Sequence, residues 1–200
     1  MNLLKQLLLA FITLWPVLGV AETEVPRTYL LDAPLPANLQ VFKSTGKTLL
    51  VSIPQAAPGF DTSALVYMRT PYLLEYYSKS QWIDTPARMF LPLLVYRLEV
   101  SGLFRAVLSA VSSPIASDLR LETEIMRLQQ EFFTEPSQMR LVLRVQLLDM
   151  QARTVMATQV FEILEKAPSD NAEGAILAAN RAFSQVLTQL LVFLGQQLQK

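Results

Sequence analysis

Asp118–Glu165, DLRLETEIMRLQQEFFTEPSQMRLVLRVQLLDMQARTVMATQVFEILE, decides the fold class of this chain. From Asp118 to Phe132 apolar and polar residues alternate. Leu119, Leu121, Thr123 and Ile125 point one way, and Arg120, Glu122, Glu124 and Met126 the other. A period of two belongs to a strand with one wet face. Glu135-Pro136-Ser137 turns the chain, since proline has no amide to give a ladder. Gln138 to Asp149 repeats the alternation, with Leu141, Leu143, Val145 and Leu147 inward and Arg140, Arg144 and Gln146 outward. Met150 to Arg153 is a hairpin turn and Thr154 to Glu165 returns. Three strands joined by short turns form an antiparallel meander.

Beyond the meander the period changes. In Asn171–Gln199, Ile176, Ala179, Phe183, Val186, Leu187, Leu190, Leu194 and Leu198 form one wide apolar stripe at helical spacing. Arg181, Gln185, Thr188, Gln189 and Gln196 lie opposite, with Val192 projecting among them. Asp170 or Asn171 can cap this helix, and Pro168 precedes it. Its reading is a helix that covers the sheet.

On the other side lies Arg69–Ser109, RTPYLLEYYSKSQWIDTPARMFLPLLVYRLEVSGLFRAVLS. It predicts a strand over Tyr72–Tyr77, a helix opening at Pro86 and a return strand over Phe104–Ser109. Asp84 or Thr85 can accept from the free amides of the first turn, Pro86 needs no amide there, and Ser101-Gly102 supplies the stop. Phe90, Leu93, Leu94 and Leu98 share one helix face, widened by Met89, Leu91, Tyr96 and Val100. Only a strip near Arg88, Pro92 and Glu99 suits water, so this helix is buried on more than one side or shared with another protein. Arg27–Asp32, Thr48–Ile53 and Ala64–Arg69 read as further short strands, and Gln55–Thr62 as a loop. Together these elements predict one α+β domain. A mixed, largely antiparallel sheet of about six to eight strands carries two long helices packed on it, on one face.

Composition narrows the chemistry. The 200 residues are 52% apolar, with 17 basic and 17 acidic side chains and no block of like charge, so no nucleic-acid partner is indicated. Histidine and cysteine are both absent. That removes Ser-His-Asp and Cys-His catalysis, ordinary zinc sites, c-type haem attachment and disulfides. Thr45-Gly46-Lys47-Thr48 has the ending of a phosphate-binding loop, but Val41 stands where its first glycine belongs, so it reads as a turn. Glu75, Asp84, Glu99 and Asp118 are scattered carboxylates without a recognisable acid/base pair. The expectation is no enzyme, no cofactor and no metal. Tyr72, Tyr76, Tyr77 and Trp82 are candidate partner contacts, because amphipathic aromatics bury large areas at low entropic cost. Arg97, inside the apolar arc, is a fifth. It is a buried arm paired to a carboxylate, an arm across an interface, or a side chain snorkelling along the helix.

Residues 1–21 have the pattern of a signal peptide: Lys5, an apolar run from Leu7 to Leu14, and Gly19-Val20-Ala21 with small residues at the −3 and −1 positions. An uncleaved N-terminal anchor is the competing reading, although the run is interrupted by Trp15-Pro16 and is short for a membrane span.

With the elements placed, residues 27–199 resemble the ABC-type transport auxiliary lipoprotein family, which includes paraquat-inducible protein C. The likeness rests on Tyr29-Leu30-Leu31, on Tyr72 and Tyr76 ahead of Trp82 and Pro86 with the leucine-rich helix to Leu98, on Leu121-Glu122-Thr123-Glu124-Ile125 with Gln130-Glu131-Phe132, and on Ala178-Ala179-Asn180-Arg181-Ala182-Phe183 through Leu194. The resemblance implies a non-enzymatic periplasmic component over residues 22–200. It would work with an ABC transporter and an MCE-domain protein that move phospholipid between the inner and outer membranes. The alternative is an assembly or scaffold protein of another envelope complex without a lipid role. Family members are usually tethered through lipid on an N-terminal cysteine. Val17-Leu18-Gly19 has the form of that lipobox, yet Val20 occupies the cysteine position. The expectation is therefore a periplasmic protein cleaved near Ala21, whose outer-membrane association would lack a lipid anchor. Two wide apolar arcs are also compatible with a homo-oligomer.

Overall fold

The structure, a computed structural model, describes residues 25–38, 40–111 and 116–198. The signal-peptide and lipobox readings lie outside the described residues. In chain order the elements are β1 (Arg27–Tyr29), β2 (Thr48–Val51), β3 (Gln55–Ala56), β4 (Ala64–Met68), β5 (Glu75–Trp82), α1 (Pro86–Val100), β6 (Ala106–Ser109), β7 (Leu119–Glu131), β8 (Gln138–Asp149), β9 (Thr154–Lys166) and α2 (Ala172–Leu198).

Everything is hung on β7. One edge carries the meander, with Leu121 opposite Leu147 on β8 and Leu143 opposite Phe161 on β9, both pairings antiparallel. The other edge is shared by three strands running parallel to it: β2 at its start, β3 at its middle and β4 at its end. β6 extends the β2 branch, while β5 and then β1 extend the β4 branch. The sheet is forked. A bulge between Ile125 and Arg127 bends β7 where the branches part and shifts the alternation by one residue. Leu128 and Gln130 consequently take the core positions that simple alternation would assign to Arg127 and Gln129.

The domain is α+β with a nine-stranded mixed sheet. The ninth strand corrects the loop expected at Gln55–Thr62: Gln55 and Ala56 pair with Glu124 and Ile125, two residues being too few for alternation to register. The strand expected at Tyr72–Tyr77 is also corrected. Leu73 donates its amide to the Thr70 carbonyl at 3.2 Å, so Pro71-Tyr72 is a turn and the ladder starts only at Glu75.

Both helices lie on one face of the sheet. α2 buries Ala178, Ala179, Ala182, Phe183, Val186, Leu187, Leu190 and Leu194 in one core with Leu141, Leu143, Val145 and Leu147 of β8. The Phe90 and Phe183 rings, 5.1 Å between centroids, join α1 to α2. Each fully buried Val, Leu or Phe among them contributes about 1.5–3 kcal/mol through its burial. α2 is long and apolar enough to cross a membrane by length and composition, but its apolar stripe is occupied by this core. At its start Asn171 Oδ1 accepts the Gly174 amide at 2.9 Å, whereas Asp170 accepts the Ser137 amide and ties β8 to the helix entry. Neither expected cap of α1 reaches the first-turn amides. The Thr85 hydroxyl has no partner, and Asp84 accepts the Thr85 amide while facing Arg88. The stop at Ser101-Gly102 forms as expected, with Gly102 at φ +69° and the Ser101 hydroxyl donating to the Leu98 carbonyl. Among the described residues the opposite face of the sheet carries no helix, and it presents Arg120, Glu122, Glu124, Arg144 and Gln146.

Candidate functional site

The open face holds a cavity of about 370 Å³ at the end of β7. Its floor comes from strand residues: Met68 from β4, Arg127, Gln129 and Glu131 from β7, and Arg140 from β8. Its walls are apolar and come from turns: Phe60, Pro71, Tyr72, Leu74 and Phe133. The floor is charged, and its buried part is internally satisfied. Arg140 grips Glu131 with two hydrogen bonds, Nε to Oε1 at 2.7 Å and Nη2 to Oε2 at 3.1 Å, and also reaches Glu162. Gln129 donates to Glu131 at 2.7 Å. Burial alone would raise the Glu131 carboxyl. The hydrogen bonds from Arg140 and Gln129 outweigh that and hold it below the ordinary carboxylate range. The Glu131–Arg140 pair is thus committed to structure, while Arg127 is exposed and, among the described residues, forms no ion pair. The arrangement suits docking of an apolar group against a rigid polar base.

Tyr72 stands at the rim with its side chain wholly exposed and its backbone at φ 69°. This is the third position of a Pro-started turn, where glycine or asparagine is usual because a Cβ crowds the backbone at positive φ. Of the other sequence-derived candidates, Tyr76 is half exposed on β5. Tyr77 turns into the sheet, where its ring lies 4.7 Å from that of Tyr67 and its hydroxyl donates to Gln130 at 2.6 Å. Burial, with the neighbouring Tyr67, raises its pKa to about 12. Trp82 is 2% exposed and belongs to the core. Arg97 is 1% exposed, so it does not snorkel, and among the described residues no carboxylate pairs with it. Its Nη2 donates to the carbonyls of Ala33 and Pro34 at 3.3 and 3.0 Å, clamping the strap that follows β1 over the helices. Burial pulls its guanidinium below the usual arginine value. Only Tyr72 and Tyr76 of the five present substantial surface, and they flank different parts of β5.

Phe60, Met68, Leu74 and Phe133 complete the cavity and were not singled out by sequence. Phe132-Phe133, breaking the alternation next to a turn, was the available signal. A second apolar groove of about 410 Å³ runs between α1 and the end of β6, lined by Leu91, Pro92, Val95, Tyr96, Glu99, Ser109 and Val111. Tyr96 is half exposed there rather than buried. Among the described residues no group of three or more Asp or Glu side chains is placed to hold a metal ion.

The fold is a forked sheet with both helices on one face and an apolar-walled cavity on the other. Residues 29–190 match the ABC-type transport auxiliary lipoprotein component family, and the chain belongs to it. The family is one of auxiliary transport components, not of enzymes, and its description points to the cell envelope. A crystallised protein of Xanthomonas campestris from the DUF330 family is similar at 25% identity and TM-score 0.71, covering 88% of this chain and 95% of that one. A second crystallised protein without assigned function shares the fold at 14% identity and TM-score 0.66, covering 86% and 99%. No curated protein matches the sequence.

Proposed function

We propose that this chain is a non-enzymatic, exported auxiliary component of an ABC/MCE-type system moving phospholipid between the two membranes of the envelope. Residues 1–21 direct export and residues 22–200 work in the periplasm; with Val20 at the lipobox cysteine position, any outer-membrane contact falls to the protein's own surface. The observation that carries the reading is Tyr72: a fully exposed aromatic on a strained turn, at the mouth of an apolar-walled cavity whose buried carboxylate is already paired. Such strain persists where something other than folding requires it. The direct partner is an apolar side chain or short segment of another transport component, received between Tyr72 and Phe133. Affinity capture from envelope extracts tests this. Recovery of an MCE-domain protein, permease or ATPase by the wild-type chain, lost with Phe133→Ala, is the expected result. Recovery of unrelated envelope proteins only would replace the lipid-transport role with that of a scaffold in another complex.

A further inference from the structure

β9 is an edge strand: among the described residues it pairs with β8 alone. Long edges are ordinarily guarded by charge, proline or a covering element, because their free backbone groups recruit other strands. The guarding here stops half-way. Arg181 donates to the Lys166 carbonyl and, with Gln185, to Glu165, so α2 covers the end of β9. Thr154 to Phe161, in contrast, contains no charge, proline or glycine. Val155 is 53% exposed, Val160 48%, and Thr158 and Gln159 are exposed as well. Uncharged, β-prone and uncovered, this is the composition that pairs with other strands.

The ladder also says which backbone groups are free. The Ala167 amide donates to the Ser137 carbonyl directly opposite, so odd-numbered residues from Ala157 to Glu165 turn their amide and carbonyl towards β8. Thr158, Val160 and Glu162 therefore turn theirs outward. The bulge at Met156, between the pairs Leu147–Ala157 and Leu148–Val155, resets the phase, so that Val155 turns outward too. The carbonyl of Val160 is met only by the side-chain amide of the preceding Gln159, at 2.9 Å, in place of a neighbouring strand.

We propose that this edge pairs antiparallel with the same edge of a second copy, about a two-fold axis through Thr158. Outward-facing residues then fall against outward-facing residues along the whole contact. Thr158 meets the partner's Thr158, Val160 meets the partner's Val155, and Glu162 meets the partner's Arg153. The odd spacing between Val155 and Thr158 is taken up by the bulge already present. The register thus matches exposed apolar to exposed apolar and acid to base, which a two-fold contact requires of one sequence. A strand pair this short buries less than the roughly 1,200 Å² of a stable interface, so the dimer should dissociate on dilution.

The chain has no cysteine, so one introduced thiol reports the contact cleanly. In full-length protein purified from the envelope fraction, Thr158→Cys should form a disulfide-linked dimer on mild oxidation, whereas Arg120→Cys on the open face should not. Sedimentation should show wild type moving from monomer to dimer with concentration. Val160→Lys, whose outward amide and side chain leave the β8 ladder intact, should stay monomeric with unchanged thermal unfolding. A wild-type monomer across the concentration range, or a dimer that persists in Val160→Lys while Thr158→Cys fails to cross-link, would overturn the proposal. Protection of this edge solely by a strand of a different protein would overturn it as well.

Discussion

Tyr72 sits where a bulky residue costs free energy, since a left-handed backbone brings Cβ against the carbonyl at about 1–2 kcal/mol. Its ring is wholly exposed, so burial returns nothing. Tyr72→Gly should therefore raise stability, by about 0.5–1 kcal/mol after glycine's greater unfolded-state entropy is allowed for. The same change should weaken capture of the partner, and denaturant melts beside pull-downs would check the two opposing signs. Tyr77 makes the opposite case. Burial, with the neighbouring Tyr67, favours the neutral phenol, and its pKa lies near 12 rather than the usual value of about 10. A value raised on folding confers stability that is present below the unfolded pKa and lost as pH rises through the folded one. Stability should accordingly fall between about pH 10 and pH 12, and less so in Tyr77→Phe, as alkaline unfolding curves would record. Sequence alone treated both tyrosines alike. What separates them is a three-dimensional fact, the turn at Pro71 that delays β5 until Glu75.

At the scale of elements, periodicity was legible wherever a strand or helix had a single buried face. The meander and α2 follow their alternation and stripe to within a residue or two, because one side is core and the other water. β3 was hidden because two residues carry no period. Past Met126 the alternation in β7 was misleading, since the bulge moves Leu128 and Gln130 into the core. Arg97 was unreadable for another reason: its partners are backbone carbonyls of a distant strap, which no side-chain pattern marks. α2 supplies an element-scale test. Alanine usually improves a helix over glycine by about 1 kcal/mol. At Gly174, though, a Cβ would lie 1.9 Å from the Ser169 carbonyl oxygen, part of the chain that Asn171 folds back to cap the helix. Gly174→Ala should thus destabilise, against propensity, with a lowered Tm on thermal unfolding. The close approach is between backbone segments that cannot move independently.

For the whole molecule, the forked sheet divides the surface by task. The helix side is spent on the core, and the open side carries ion pairs such as Arg144–Glu124 and the cavity at the end of β7. The free half of β9 lies on the same sheet, so pairing of two copies would join two open faces into one continuous surface. The absence of histidine and cysteine was readable before any fold was known, and it removes the chemistries that depend on them. The site itself was only half readable, because its walls come from three separate turns that the fork brings together. The central claim is that the chain acts by docking at this cavity. A photo-activatable phenylalanine at position 72 in the full chain, irradiated in living cells, tests it most directly. A cross-link to an MCE-domain or ABC transporter component, lost with Phe133→Ala and not formed by the same probe at Arg120, is the expected result. Absence of any cross-link at position 72, with efficient cross-linking at position 120 instead, would contradict it.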